Sequence, residues 1–490
     1  MHTRKVTGGL SVFSAAVIAS LAGVSAVNGA ATPVQEMSRT VENLCPSLKN
    51  SYAANPASLT AAEQDVLFRC GELKLAAGQS FANLTEAQRN GLGNMTSEES
   101  SVMGAATVAL SGAQNTAVLG RLSSLRGKTA NSVAAGGPAP VNPQNALLPP
   151  ENETVRQQDS AYSHEGDGSV VVNPLQIQNG YAGSFSQTSE FGKWGVFLNA
   201  SFGSGNKDAS LREPGFDFDS WSLVSGLDYR LTDQLVLGVA VSYGATESTI
   251  DSNGGDVDLD GFGGALYGTY YRNDFYVDFL AGMNGKEYDT RRRVSYTVAS
   301  KSGGDTVVDQ LFNGDTDAVD ATVSLGAGYN MAVSGFTVTP FAHLAYLEST
   351  IDGYTEDLDG GNSNAGFGLA LRVDEQEVKS LTSTLGVQLA YAVNTSFGVM
   401  TPYLRGDWEH EFENDARNIT AHFAAVDNRY ESLNTITIPT DEPDRDFANL
   451  GGGLLTVLPG GWQCFVDYST VLGYEDLTLH RFVVGMRADF

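Results

Sequence analysis

The closing stretch of the chain, His480 to Phe490, reads HRFVVGMRADF and ends on an aromatic carboxy-terminus. In a strand, alternate residues point to opposite faces. Phe482, Val484, Met486, Ala488 and Phe490 then share one face, and Arg481, Val483, Gly485, Arg487 and Asp489 share the other. One face suits lipid and the other suits water. A single segment of this kind also fits a soluble sandwich, because the signal per strand is weak. Recurrence decides between them.

The pattern recurs from Lys193 onward. Trp221, Leu223, Leu227 and Tyr229 oppose Ser222, Gly226, Asp228 and Arg230. After a tight turn at Thr232-Asp233, Leu235, Leu237, Val239, Val241 and Tyr243 oppose Gly238, Ala240, Ser242 and Gly244. Further alternating runs lie at 262–272, 275–289, 319–331, 336–349, 380–392, 398–413, 446–458 and 462–470. With a first strand at about 194–203 and the terminal one, the count is about twelve. Connections near 232, 273, 333, 394 and 460 read as short; those near 210, 252, 305, 360, 430 and 474 read as longer and rich in Asp, Asn and Gly. Short turns on one side and long loops on the other are what an outer-membrane barrel shows. Tyr229, Tyr271, Phe275, Trp462 and Phe490 all fall near the short-turn end, where an aromatic girdle would lie.

The other end of the chain supports export. Arg4 and Lys5 precede an apolar run from Leu10 to about Val27, and Asn28-Gly29-Ala30-Ala31 supplies small residues for cleavage, so residues 1–30 read as a signal peptide. Beyond it no segment reaches the roughly 20 consecutive apolar residues of a spanning helix. A membrane form must therefore be strands closed into a barrel, which leaves no backbone unpaired in lipid. The 57 acidic residues against 29 basic ones, a formal charge of -28, argue against nucleic acid as a partner.

Residues 31–128 read as helical. Met37, Val41, Leu44, Leu48 and Tyr52 recur at helical spacing, although Pro46 is expected to kink or end that helix. Thr60 to Glu63 forms a candidate capping box for a second helix carrying Val66, Leu67 and Cys70. In an exported chain Cys45 and Cys70 are expected to pair and clip the two helices; buried free thiols are the other reading. Cys464 stands alone. A third helix, about 97–126, is rich in Ala, Ser and Gly and carries Val118, Leu122 and Leu125 on one side. It fits either packing on its neighbours or a narrow polar channel. Residues 129–190, with Pro138, Pro140, Pro143, Pro149 and Pro150, read as a linker with a short strand at 169–172.

Residues 191–490 resemble the autotransporter beta-barrel of type V secretion, through GLDYRLTDQLVLGVAVSY, DFYVDFLAGMNGKEYDTRRRVSY, TPFAHLAYLESTIDGYTE, SLTSTLGVQLAYA, TPYLRGDWEHEFEND and FVVGMRADF in this order. The resemblance implies a twelve-stranded monomeric barrel in outer-membrane lipid of a Gram-negative bacterium. It implies periplasmic chaperones and the barrel assembly machinery as partners, with Phe490 as the assembly signal. It also implies a passenger at the cell surface and a helical segment in the pore. The chain departs from the family in its short helical passenger and in lacking the Asn-Asn at which some members cut inside the pore. The passenger is thus expected to stay attached.

Catalysis is not expected. No histidine of the mature chain precedes His164, so the helical region lacks both the general base of a Ser/His/Asp mechanism and a full zinc ligand set. His410 between Glu409 and Glu411, with His422 on the next loop, reads as polar residues near the top of a strand rather than a rim active site. Asp256, Asp258, Asp260 and Gly261 begin like a calcium loop, but Tyr267 stands where a bidentate Glu belongs. Arg405-Gly406-Asp407 spells an adhesion tripeptide, yet alternation puts it in a barrel wall. Asp228, Arg230, Asp278, Arg405 and Asp407 are expected to face the lumen. Gly451 to Gly453 is not a phosphate loop, since neither lysine nor helix follows. No cofactor, metal or catalytic residue is therefore assigned. The expected function is a translocator that secretes or displays its own short amino-terminal region; the alternative is a porin-like channel or structural adhesin that retains it.

Overall fold

Strands in hydrocarbon have no water to bond, so they satisfy their amides only by pairing on both sides around a closed ring. The computed structural model, which describes residues 32–73, 85–96, 99–125, 193–299, 305–459 and 462–490, contains that ring. Its strands are β1 (Trp194–Lys207), β2 (Phe216–Arg230), β3 (Leu235–Ile250), β4 (Gly255–Arg272), β5 (Phe275–Ala299), β6 (Asp305–Tyr329), β7 (Phe336–Ile351), β8 (Gln376–Tyr391), β9 (Gly398–Glu411), β10 (Asp446–Val457), β11 (Trp462–Leu472) and β12 (Leu477–Asp489). Each pairs antiparallel with its chain neighbours. β12 returns to β1, in register from Gly195 opposite Asp489 to Lys207 opposite Leu477. Trp194 and Phe490 exchange backbone hydrogen bonds of 3.1 and 2.9 Å at this seam. The fold is a closed twelve-strand antiparallel barrel preceded by helices.

Alternation sorts the two faces as the sequence predicts. Leu223, Val241, Leu266, Met283, Val323, Leu385, Leu404 and Met486 are exposed on the outside, while Ser222, Thr246, Thr322, Gln388, Gln463 and Arg487 are buried inside. Inward glycines make room for rings from the next strand. A Cβ on Gly453 would meet the Tyr403 ring at 2.7 Å, and one on Gly485 would collide with the Phe465 ring.

Three sequence expectations need correction. The connections at 251–254 and 473–476 are tight rather than long, because the Asp- and Gly-rich stretch after 254 extends β4 instead of forming a loop. Positive φ at Ser252 and Asn253 makes the first of these turns. Tyr271 does not belong to the girdle: it is buried, and Tyr270 faces outward in its place beside Trp194, Phe275, Tyr329, Phe336 and Trp462. Pro46 does not end its helix, one of the two outcomes expected of it, since α1 continues over Pro33–Ala54. Pro46 is exposed, so water can satisfy the carbonyl its missing N–H leaves free, while Leu44 and Leu48 anchor the opposite face. The signal peptide, the linker and its short strand lie outside the described residues.

Helix α2 (Ala61–Leu73) begins with the expected box: Thr60 N donates to Glu63 Oε2 at 2.7 Å, and Glu63 N donates to Thr60 Oγ1 at 3.1 Å. Cys45 and Cys70 form a disulfide that joins α1 to α2. With α3 (Glu86–Gly93), these helices sit on the end of the barrel that bears the connections 208–215, 352–375 and 412–445. The longer connections build a small sheet there from 354–355, 371–373, 418–423 and 435–439. Met37, Leu44 and Leu73 of the helices share one apolar core with Phe312 and Val294 of the wall and Phe423 and Ile436 of that sheet. Polar contacts add direction: Thr40 Oγ1 donates to Thr435 O at 2.7 Å, and Asp65 accepts from the amides of Gly366 and Gly368 at 3.2 and 2.9 Å.

Candidate functional site

The lumen holds helix α4 (Glu99–Ser124). Of the two readings left open by its sequence, the structure selects the helix inside a channel. Small residues keep it narrow, and three groups of buried polar contacts fix it along its length.

At the loop end, Arg292 of β5 forks onto Glu356, with Nε–Oε1 at 2.7 Å and Nη2–Oε2 at 2.5 Å, and lies 3.8 Å from Glu99 of α4. Ser100 shares a hydrogen bond of 3.1 Å with the Tyr354 hydroxyl. Midway, Lys286 pairs with Asp320 and donates to Thr107 O at 3.0 Å and Ser111 Oγ at 2.8 Å. Ser111 in turn donates to Asp320 at 2.5 Å. At the short-turn end, Arg121 of α4 grips Asp228 at 2.6 and 2.8 Å and reaches Asp489 at 2.9 Å. Tyr267 donates to the same Asp228 at 3.1 Å. Asn199 and Arg487 add bonds to the helix carbonyls of Ala117 and Gly120, at 3.0 and 3.1 Å. A buried, paired ionic group of this kind tolerates loss of its partner poorly.

Of the residues expected to face the lumen, Asp228 grips the helix, Arg230 donates to the Tyr271 hydroxyl, and Asp278 is buried in the wall. Arg405 and Asp407 pair with each other at 3.4 Å inside the barrel, so the Arg-Gly-Asp tripeptide is wall, not loop tip. Alternation separates His410 from its flanking glutamates. The imidazole meets Asp446 at 2.8 Å, while Glu411 accepts from Ser380 at 2.6 Å and from Leu381 N at 2.8 Å. His422 lies in the small sheet, 3.4 Å from Asp374. Asp256 and Asp258 lie on β4 beside Arg291, at 2.5 and 3.6 Å, and Asp260 accepts from Tyr243 at 2.7 Å. That stretch is a paired strand, not a cation loop. Cys464 is a free, outward-facing thiol on β11. Phe490 is exposed at the seam.

Sequence reading missed the helix-gripping residues Arg121, Lys286, Arg292, Asp320 and Glu356. The available signals were a lone arginine in a helix of small residues, and charges at inward positions of β5 and β6.

Outside the membrane-spanning strands, burial also shapes charge. The Glu213 carboxyl is pushed above its ordinary range by burial, opposed by the Lys207 ammonium 3.1 Å away. Burial likewise lowers the Arg417 guanidinium, which lies over Gly104 of α4.

Residues 196–469 match the autotransporter beta-domain. The chain belongs to this family. It is an outer-membrane autotransporter translocator. Curated relatives include a Pseudomonas putida protein described as an uncharacterized protein in the trpE-trpG intergenic region, 27% identical over 233 residues, 46% of this chain and 36% of that protein. Outer membrane protein A of Rickettsia rickettsii is 25% identical over 307 residues, 61% of this chain and 13% of that protein. The chain thus spans well under half the length of either relative. Among solved structures, the translocator domain of autotransporter NalP from Neisseria meningitidis is 13% identical with a TM-score of 0.46, over 62% of this chain and 90% of that one.

Proposed function

We propose that this autotransporter carries its own helical amino-terminal region to the cell surface and keeps it there as a folded cap on the barrel. The observation that supports this reading is the course of α4 through the lumen. Its Glu99 end lies beside Glu356 and Arg292 at the loop end, and its Arg121 end lies beside Asp228 and Asp489 at the short-turn end. Outer-membrane barrels direct long loops outward and short turns to the periplasm. On that orientation α1 to α3 lie outside the cell. The work of the chain is vectorial: the lumen serves as the conduit for the amino-terminal region and is then occupied by α4. No catalytic step is assigned. In this scheme β12 with the following Phe490 is the segment read by the barrel assembly machinery after periplasmic chaperones deliver the chain, and the barrel works as a monomer.

An epitope inserted in the exposed connector at 56–58 tests the display. Antibody should bind it on intact cells. Binding only after the outer membrane is permeabilised, with the barrel folded, would support a porin-like or periplasmic arrangement instead.

A further inference from the structure

Helix α4 does not fill the barrel. It rests mainly against β2 to β5, and the lumen beside β6 to β12 contains a cavity of about 1180 Å³. The floor lies at Phe341 and Arg405, and the rim is made by the connections 208–215, 412–445 and 473–476, whose Glu413, Glu442 and Glu475 are exposed to solvent. Its size is slightly above the roughly 300–1,000 Å³ of pockets that enclose small organic molecules.

The walls differ in chemistry. From α4 the cavity receives Ala105, Val108, Ala109 and Gly112, an apolar strip along one side. Across from it, β9 presents Asp407, Glu409 and Glu411 on its inward face, one carboxylate every second residue, or about every 6.7 Å of strand. Between them, β6 contributes the hydroxyls of Thr322 and Ser324. Both residues are only 3% exposed, line the cavity, and have no hydrogen-bond partner among the described residues. Over the whole lining, carboxylates outnumber Lys and Arg. Among the described residues no set of three carboxylate, His or Cys groups is close enough to hold a metal ion. Arg405 holds Asp407 at 3.4 Å, so the negative charge runs in a line from Glu409 and Glu411 toward the rim carboxylates rather than being gathered at a point.

We propose that this cavity binds an aliphatic polyamine. Its ammonium groups meet the β9 carboxylates in charge-assisted hydrogen bonds, its methylenes lie on the α4 strip, and the Thr322 and Ser324 hydroxyls accept remaining N–H donors. A compact metal cation cannot span the ladder, and a monoamine meets one rung of it. The cavity presents the same walls whichever way the loop end faces across the membrane.

The test is calorimetric titration of spermidine into the purified full chain in neutral detergent, beside butylamine and Mg²⁺ at matched charge. Spermidine should bind at one site, and both controls should bind at least about tenfold more weakly. The double variant E409Q/E411Q should weaken spermidine about tenfold or more. Ala109→Phe leaves every carboxylate in place and covers the apolar strip on which the methylenes lie, so it should also weaken binding; heat-modifiable migration reports that each variant is folded. Absence of spermidine binding to the parent chain, Mg²⁺ binding as tightly, or unchanged affinity in Ala109→Phe would overturn the proposal.

Discussion

Arg121 of the pore helix bonds Asp489 of the last strand at 2.9 Å while gripping Asp228 of β2 at 2.6 and 2.8 Å. Those two carboxylates flank Gly195 of β1, which is the register partner of both. A Cβ at Gly195 would collide with the Arg121 guanidinium and with both carboxylates, so the bridge exists because glycine stands there. One side chain of the helix thus holds the strands on either side of β1, next to the seam where the barrel closes. Helix and seam are mechanically linked.

Replacing Arg121 with alanine should therefore loosen more than the helix. Removal of one member of a buried pair costs about 3–5 kcal/mol, because the remaining charge stays buried without compensation. Asp228 is 3% exposed and would be that charge. Urea unfolding in detergent, followed by heat-modifiable migration, should show this loss. Arg121→Lys should recover only part of it, since an ammonium cannot make the fork that guanidinium makes. Equal stability of R121A and parent would mean that the bridge carries no net free energy.

The disulfide should govern the cap and leave the barrel alone. Cys45 and Cys70 are separated by 25 residues in sequence, and closing a loop of that length stabilises by about 3 kcal/mol through the unfolded state. Both cysteines belong to the apolar core under α1 and α2. Reduction, or the C45S/C70S variant, is expected to expose α1 and α2 to protease while strands 194–489 remain resistant. Limited proteolysis with mass spectrometry reads this directly; simultaneous loss of barrel resistance would show that cap and wall unfold as one unit.

Acidity should tighten the loop end. Burial raises the Glu213 carboxyl, against the Lys207 ammonium, and burial also raises Asp444. A carboxyl that holds its proton more firmly when folded contributes stability in full below its unfolded value, 4.5 for Glu213 and 3.8 for Asp444. That contribution is lost as pH climbs through the raised folded value. Amide exchange in 208–215 and 440–445, corrected for intrinsic rate, should accelerate from about pH 4 upward, and Glu213→Gln should flatten part of the slope. Protection that rises with pH would contradict the assignment.

The barrel was legible because its physics is local. Lipid on one side and a polar lumen on the other impose a period of two on every strand, so Leu223 and Asp228 declare their faces without reference to any partner. The capping box at Thr60 was legible for the same reason, and the Cys45–Cys70 pair from the exported context. Tyr271 was misplaced because two adjacent tyrosines blur the alternation, and only pairing with Arg230 shows which of them turns inward. Pro46 does not end its helix, because a helix held by tertiary packing tolerates a missing hydrogen bond on its wet side. The helix contacts were not legible. Arg121 and Asp489 are separated by 368 positions, and nothing in either segment signals the other.

The middle contact group offers the sharpest separation between stability and specificity. Lys286 and Asp320 are wholly buried, and their remaining hydrogen bonds go to Thr107 and Ser111 on α4. Lys286→Met alone should be severely destabilising, by about 3–5 kcal/mol, because it strands the Asp320 carboxylate. The double variant K286M/D320L removes both charges and should recover most of that loss, as apolar replacements of buried ion pairs commonly do. It also removes the groups that bond Thr107 and Ser111, and so frees the helix to shift along the wall. The expected pair of results is near-parental unfolding in denaturant, together with faster amide exchange around residue 111 of α4. Recovery of stability without a change in exchange would mean that the end contacts, at Glu99 and Arg121, are sufficient to fix the register of the helix in the pore.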